Sequence, residues 1–126
     1  HEPVKVLYTK QEVLEIVDIY ASKYGVDRDV LFNTIDCEAK KRLIDGVVYY
    51  DAHAQSDIVR DEIREDSWGF SQWHMPSGNK KKDGTLITKE EAQNPHIALD
   101  TMAWYFSEGF ATKWSCYRKL YSERRV

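Results

Sequence analysis

The chain is poor in cysteine and has no long apolar run. Its two cysteines are too few for a zinc site or a disulfide-dense scaffold, because both need more ligands or bridges. No apolar run approaches the roughly 18 residues that cross a bilayer, so we expect no membrane span. The net charge of −3 argues against a nucleic-acid binder that relies on bulk positive charge. A glycine-rich phosphate motif is missing and His74 has no second histidine at ligand spacing, so we expect no metal and no cofactor.

The composition is that of one folded domain. Hydrophobic residues make up 42% of the 126 residues, and a chain of this length can bury roughly two thirds of its unfolded surface. We therefore expect a single domain over residues 1–126, present as a monomer. The first residue is His1 rather than Met, so we expect that a leader, tag or upstream segment has been removed and that the compartment must be inferred indirectly.

Capping signals predict most of the helices. Thr9 to Glu12 form a capping box before a helix that ends at Gly25, and Asp27 caps a second helix that extends to Lys41. Further helices are expected after the capping box of residues 88–91, from Asn94 to Gly109, and from about Ala111 to Tyr121.

The middle of the chain has weaker signals. Asp45-Gly46 followed by a β-branched and aromatic run indicates a turn, and a short hairpin fits between residues 43 and 50. Ile58, Val59 and Ile63 suit a short surface helix within residues 52–66. We therefore expect a mainly α fold, α+β at most, with a long irregular middle and at most one short β-hairpin.

Glu38 is the most informative residue, because it lies on the apolar stripe of the second helix. Leu31, Ile35 and Glu38 share one face at a spacing of 3.6 residues. A carboxyl group held among aliphatic side chains loses hydration, and this raises its pKa as a general acid near neutral pH requires. The alternative is that Glu38 extends to water or pairs with Arg42, four residues later.

Residues 67–76 combine three aromatic side chains with a glycine and a glutamine. This mixture is typical of a ligand groove, although a plug of the core beneath a loop has the same composition.

The order of these segments resembles the soluble lytic transglycosylase and goose-type lysozyme group. The matching segments, over about residues 24 to 117, are Tyr24-Gly25-Val26-Asp27 before the helix that carries Glu38, then Gly69-Phe70-Ser71-Gln72, then the helix Pro95 to Phe106. The resemblance implies a lysozyme-like domain in which Glu38 is the catalytic general acid. It also implies that Gly69 and Gln72 belong to the strip that lines the saccharide groove, and that Tyr105 reaches the catalytic carboxylate.

The implied function is a peptidoglycan-cleaving glycosidase that acts on the bond between N-acetylmuramic acid and N-acetylglucosamine, outside the cytoplasm. It would be an inverting muramidase if a carboxylate such as Asp66 or Asp57 holds a water, and a lytic transglycosylase if the muramyl C6 hydroxyl attacks instead. The expected substrate-binding residues are Asp66, Trp68, Gln72 and Tyr105, and the expected partners are peptidoglycan glycan strands. The alternative is a catalytically inactive glycan-binding domain, because Ala39, Ser71 and Ala98 depart from the family pattern.

The two cysteines leave two possibilities. Cys37 is next to Glu38, and Cys116 lies in the last expected helix. A bridge between them would connect the C-terminal helix to the core, and two free thiols are the alternative. Export favours the bridge.

Overall fold

A computed structural model describes residues 4–122 and shows an α+β fold. It is 47% helical and 19% strand, with five α-helices and three small sheets. The expected mainly α fold is therefore wrong. The reason is the segment of residues 41–74, which was expected to be largely irregular and instead forms three antiparallel hairpins.

Four of the five helices described within residues 4–122 begin directly after the predicted N-cap residues. The five helices are α1 (Lys10–Tyr24), α2 (Arg28–Glu38), α3 (Lys89–Ala92), α4 (Pro95–Ser107) and α5 (Ser115–Tyr117), the last followed by a π-helical turn, Arg118–Ser122. Both capping boxes form, with Thr9 and Thr88 as the N-caps. Asp27 and Asn94 cap α2 and α4 through their side-chain oxygens.

The first sheet has three strands in the order β1-β3-β2. Strand β1 is Leu7–Thr9, β2 is Lys41–Ile44 and β3 is Val47–Asp51, and both pairings are antiparallel. The turn between β2 and β3 is Asp45-Gly46, and both of its residues have positive φ. This is the backbone of a two-residue hairpin turn.

Two smaller hairpins follow. Strands β4 (Val59–Arg60) and β5 (Ile63–Arg64) pair around Asp61 and Glu62. Strands β6 (Ser67–Trp68) and β7 (Trp73–His74) pair around the loop of residues 69–72.

Three predicted boundaries differ from the structure. Helix α2 ends at Glu38 rather than Lys41, because Lys41 already pairs with Tyr50 in the first sheet. The surface helix expected within residues 52–66 is wrong, since its apolar residues belong to the β4–β5 hairpin. The last expected helix is divided into a 3-10 turn, Ala111–Lys113, followed by α5 and the π-helical turn.

The core lies between α1, α2 and α4. Leu31 and Ile35 of α2 and Leu99 and Met102 of α4 are completely buried. The β6–β7 hairpin reaches this core through Phe70, which is 1% exposed. Within residues 4–122 no helix is long and apolar enough to cross a membrane.

Candidate active site

A cleft of about 580 Å³ lies between the end of α2, the β4–β7 hairpins and the α5 segment. Glu38 and Glu65 both line this cleft. Its polar lining includes Ser56, Ser67, Gln72, His74, Asn79 and Ser115, and its cationic lining includes Lys40, Arg60, Lys113 and Lys119. Two indole rings, Trp73 and Trp114, contribute its apolar part.

Glu38 is half-buried at the C-terminal end of α2, directly after the buried part of its stripe. The predicted alternative, an ion pair with Arg42, does not form. Because α2 has ended, Arg42 lies in β2, where its Nε donates to Asp51 Oδ2 at 2.9 Å. Among the described residues, Glu38 forms no ion pair within 4.0 Å.

The carboxylate of Glu38 is held by the α5 segment. Its Oε2 accepts a hydrogen bond from the backbone N–H of Cys116 at 3.1 Å and a longer one from Ser115 Oγ at 3.5 Å. A disulfide joins Cys116 to Cys37, with the two Cα atoms 5.9 Å apart. The covalent bond thus fixes the donor next to the carboxylate. Among the hydrogen bonds of residues 4–122, those to Glu38 are accepted by Oε2.

Burial raises the pKa of Glu38 above its ordinary value, because desolvation disfavours the charged form. The hydrogen bonds from Cys116 and Ser115 and the charge of Lys119 act in the opposite direction, while the negative charge of Glu65 raises the pKa further. The net shift is upward. Glu38 therefore has the electrostatics that a proton donor needs.

Glu65 is a second carboxylate in the cleft, and its surroundings hold it in one orientation. Its Oε1 accepts from Ser67 Oγ at 3.0 Å, and the same hydroxyl is 3.0 Å from His74 Nδ1. Ser67 and His74 meet because they are directly opposite in the β6–β7 pairing. The Oε2 atom is 3.4 Å from Arg60 Nη1.

Sequence reasoning missed Glu65 and favoured Asp66. The signal that distinguishes them is the alternation of side chains along an extended segment. Glu65 and Ser67 face the cleft, whereas Asp66 and Trp68 face the other side, where Trp68 Nε1 donates to Asp66 Oδ1. Asp66 adjoins the aromatic strip in the sequence, but its side chain lies on the side away from the cleft.

Trp68 lines a separate groove of about 430 Å³, which we call the outer groove. This groove also contains Lys40, Arg42, Asp51, Asp57 and Arg64. Of the four predicted substrate-binding residues, only Gln72 lies in the cleft with Glu38. Its Nε2 donates to the carbonyls of Gly69 and Ala54, at 2.9 and 3.2 Å.

Tyr105 does not bond to Glu38, which corrects what the resemblance implied. Its hydroxyl donates to the Lys80 carbonyl at 2.7 Å and accepts from the Lys80 N–H at 3.0 Å. The ring packs edge-on against Trp73 and Trp114, the two indoles of the cleft. Tyr105 thus supports the cleft from behind.

Gly69 fixes the hairpin that carries Ser67 and His74. Its φ is +81°, and a Cβ at this position would lie 1.9 Å from the Ala92 carbonyl oxygen. Only glycine allows this close approach between the hairpin and α3.

Within residues 4–122 no group of three or more acidic, histidine or cysteine residues is arranged to hold a metal ion. Comparison with known proteins adds no assignment: no family model, curated protein or solved structure matches this chain significantly.

Proposed function

We propose that this protein is a glycosidase that cleaves peptidoglycan, with Glu38 as the general acid. The observation that carries the proposal is the setting of Glu38: a half-buried carboxyl with a raised pKa, without an ion pair among the described residues, at the wall of an open polar cleft. A carboxylate with a structural role is often held in an ion pair, and Glu38 forms none among the described residues.

The lining of the cleft suits an anionic amino-sugar polymer. Hydroxyl and amide side chains match the hydroxyl and N-acetyl groups of a saccharide. The four cationic residues outnumber the two carboxylates, although the whole chain is acidic. Peptidoglycan carries free carboxylates on its peptide stems, so it fits this lining better than a neutral glycan does.

Cleavage of a glycosidic bond requires a proton on the leaving oxygen and an oxocarbenium-like transition state. Glu38 donates the proton to the glycosidic oxygen as the C1–O bond breaks. The N–H of Cys116 then stabilises the carboxylate that forms, because its hydrogen bond lowers the pKa of Glu38. The disulfide that places this N–H fits a protein that works outside the cytoplasm.

The test is digestion of purified cell walls, with mass analysis of the released muropeptides. Wild type should release them, and Glu38→Gln should be about 10²–10⁴-fold slower, the range typical for loss of a general acid. Glu15→Gln is the matched control, because it makes the same change on the exposed face of α1. Binding to walls without any release by the wild type would favour the inactive glycan-binding domain. Wild-type activity of Glu38→Gln would contradict the proposed role.

A further inference from the structure

We infer that Glu65 is the general base that activates a water molecule opposite Glu38, so that the reaction is a hydrolysis with inversion. This inference rests on the proposed function and names the group that completes it. The two carboxylates line the same cleft from different elements, Glu38 from the end of α2 and Glu65 from the segment that joins β5 to β6.

The backbone of Glu65 is fixed on both sides. Its N–H donates to the Ile58 carbonyl at 2.8 Å, and its carbonyl accepts from Gln55 Nε2 at 3.0 Å. The adjoining β4–β5 hairpin closes through Asp61 and Glu62, both with positive φ. A side chain on such a frame keeps its position while a substrate binds.

The side chain is oriented by a chain of hydrogen bonds. The hydroxyl of Ser67 donates to Glu65 Oε1 at 3.0 Å, and the same hydroxyl oxygen lies 3.0 Å from His74 Nδ1. The side chain of Ser67 is buried, since the residue is 2% exposed. These contacts fix the orientation of the Glu65 side chain, as a base that positions a water molecule requires.

The other carboxylates suggested for this role, Asp57 and Asp66, form their contacts outside the cleft. Asp57 is an outer-groove residue whose side chain is 74% exposed and paired with Lys40 and Arg64. Asp66 accepts from Trp68 on the side away from the cleft. By contrast, Glu65 lines the cleft, its side chain is 21% exposed, and its Oε2 is 3.4 Å from Arg60 Nη1.

The step balances as follows. Water attacks C1 of the muramyl residue and gives one proton to Glu65, while Glu38 gives its proton to the leaving oxygen. The C1–O bond to the leaving sugar breaks, a new C1–O bond to the water oxygen forms, and no redox change occurs. The products are a muramyl reducing end in the α configuration and a free 4-hydroxyl. Proton exchange with solvent returns Glu65 to the ionised form and Glu38 to the protonated form.

The experiment is digestion of soluble peptidoglycan oligomers in ¹⁸O-labelled water by wild type, Glu65→Gln and Glu65→Ala. Wild type should place the label at C1 of a reducing product that is α when first formed. Glu65→Gln should be about 10²–10⁴-fold slower. Added azide should restore turnover to Glu65→Ala and yield the α-glycosyl azide, because the small anion replaces the activated water. A purely structural role for Glu65 would give no such product.

Glu62→Gln is the matched control and should keep the wild-type rate and product, because Glu62 is exposed in the adjacent hairpin turn. Unlabelled 1,6-anhydro products from wild type, or a Glu65→Gln protein as fast as wild type, would overturn the inference while leaving Glu38 as the acid. Full activity of Glu38→Gln would instead overturn the proposed function itself.

Discussion

The cleft and the outer groove share Lys40 in their walls and use their charges in different ways. In the outer groove the acids are paired: Asp51 with Arg42, and Asp57 with both Lys40 and Arg64. In the cleft, the hydrogen bonds to Glu38 come from a backbone N–H and a serine hydroxyl. Glu65 of the cleft pairs with Arg60, so Glu38 is the carboxylate that differs from the paired acids of the outer groove.

This difference separates carboxylates that hold the fold from those that are available for chemistry. An ion pair favours the charged form and makes proton exchange costly. Desolvation of a carboxyl that has only neutral donors favours its protonated form, which is the form that donates a proton. We therefore expect substitutions in the cleft to change activity and those in the outer groove to change stability.

The largest effect should follow removal of the disulfide, which belongs to the cleft alone. The bond joins residues 79 positions apart, and closing a loop of this length stabilises the fold by about 4 kcal/mol. Cys37→Ser combined with Cys116→Ser should lose about that amount in urea unfolding. Hydrogen exchange should become faster in α5 before it does in the β2–β3 hairpin. The same urea midpoint in both proteins would contradict this prediction.

Gly69→Ala should give the next largest effect, because it separates the hairpin of the cleft from α3. The positive φ and the clash with Ala92 should together cost about 3 kcal/mol of unfolding free energy. Gly109→Ala is the matched control. It also has positive φ but no atom within 4 Å of the added Cβ, so it should lose only about 1 kcal/mol. If Gly69→Ala and Gly109→Ala lost equal stability in thermal or urea unfolding, the close approach of Gly69 to the Ala92 carbonyl would be contradicted.

The pH dependence of stability should report on Glu38 with a smaller effect. Because burial raises its pKa, the folded state holds the proton more tightly than the unfolded state. This contribution is complete below the ordinary pKa of 4.5 and is lost as pH rises through the folded pKa. Glu38→Gln should therefore gain stability over wild type toward neutral pH, and the gain should disappear in acid. Urea midpoints across this range measure it, and the exposed Glu15→Gln should show no such trend.

The smallest effect is expected for Asp66→Asn and Trp68→Phe, which lie on the far side of the segment that carries Glu65. Their wall-digestion rates should stay within about twofold of wild type, as for surface changes of about 0.5 kcal/mol. A loss of digestion rate as large as that of Glu38→Gln would show that Asp66 and Trp68 belong to the substrate site. It would contradict the separation of the two grooves.

The helical part of the fold was readable from the sequence because its signals are local. Capping boxes at Thr9 and Thr88 and the Asn94-Pro95 start are satisfied within a few residues. The small hairpins were missed for the opposite reason. Strands of two residues have no periodicity to read, and Ile58, Val59 and Ile63 fit a helix as well as a hairpin.

Only the part of the site that lies on a helix, the position of Glu38, could be predicted from the sequence. The stripe of α2 placed Glu38 correctly at the border of the core, with Leu31 and Ile35 buried beneath it. The identity of the second carboxylate in the cleft depends on which face of the short extended segment between β5 and β6 lines the cleft. A shift of one residue along this segment exchanges Glu65 for Asp66. Tyr105 was misplaced because its hydroxyl meets Lys80, 25 positions earlier in the chain.

The most direct test neutralises one carboxylate in each groove and measures wall digestion and urea unfolding side by side. Glu38→Gln should lose about 10²–10⁴-fold in rate while remaining at least as stable as wild type. Asp51→Asn should lose about 1–3 kcal/mol of stability, because the side chain is 4% exposed and paired with Arg42, yet digest walls at the wild-type rate per folded molecule. A Glu38→Gln protein that digests walls as fast as wild type would contradict the account.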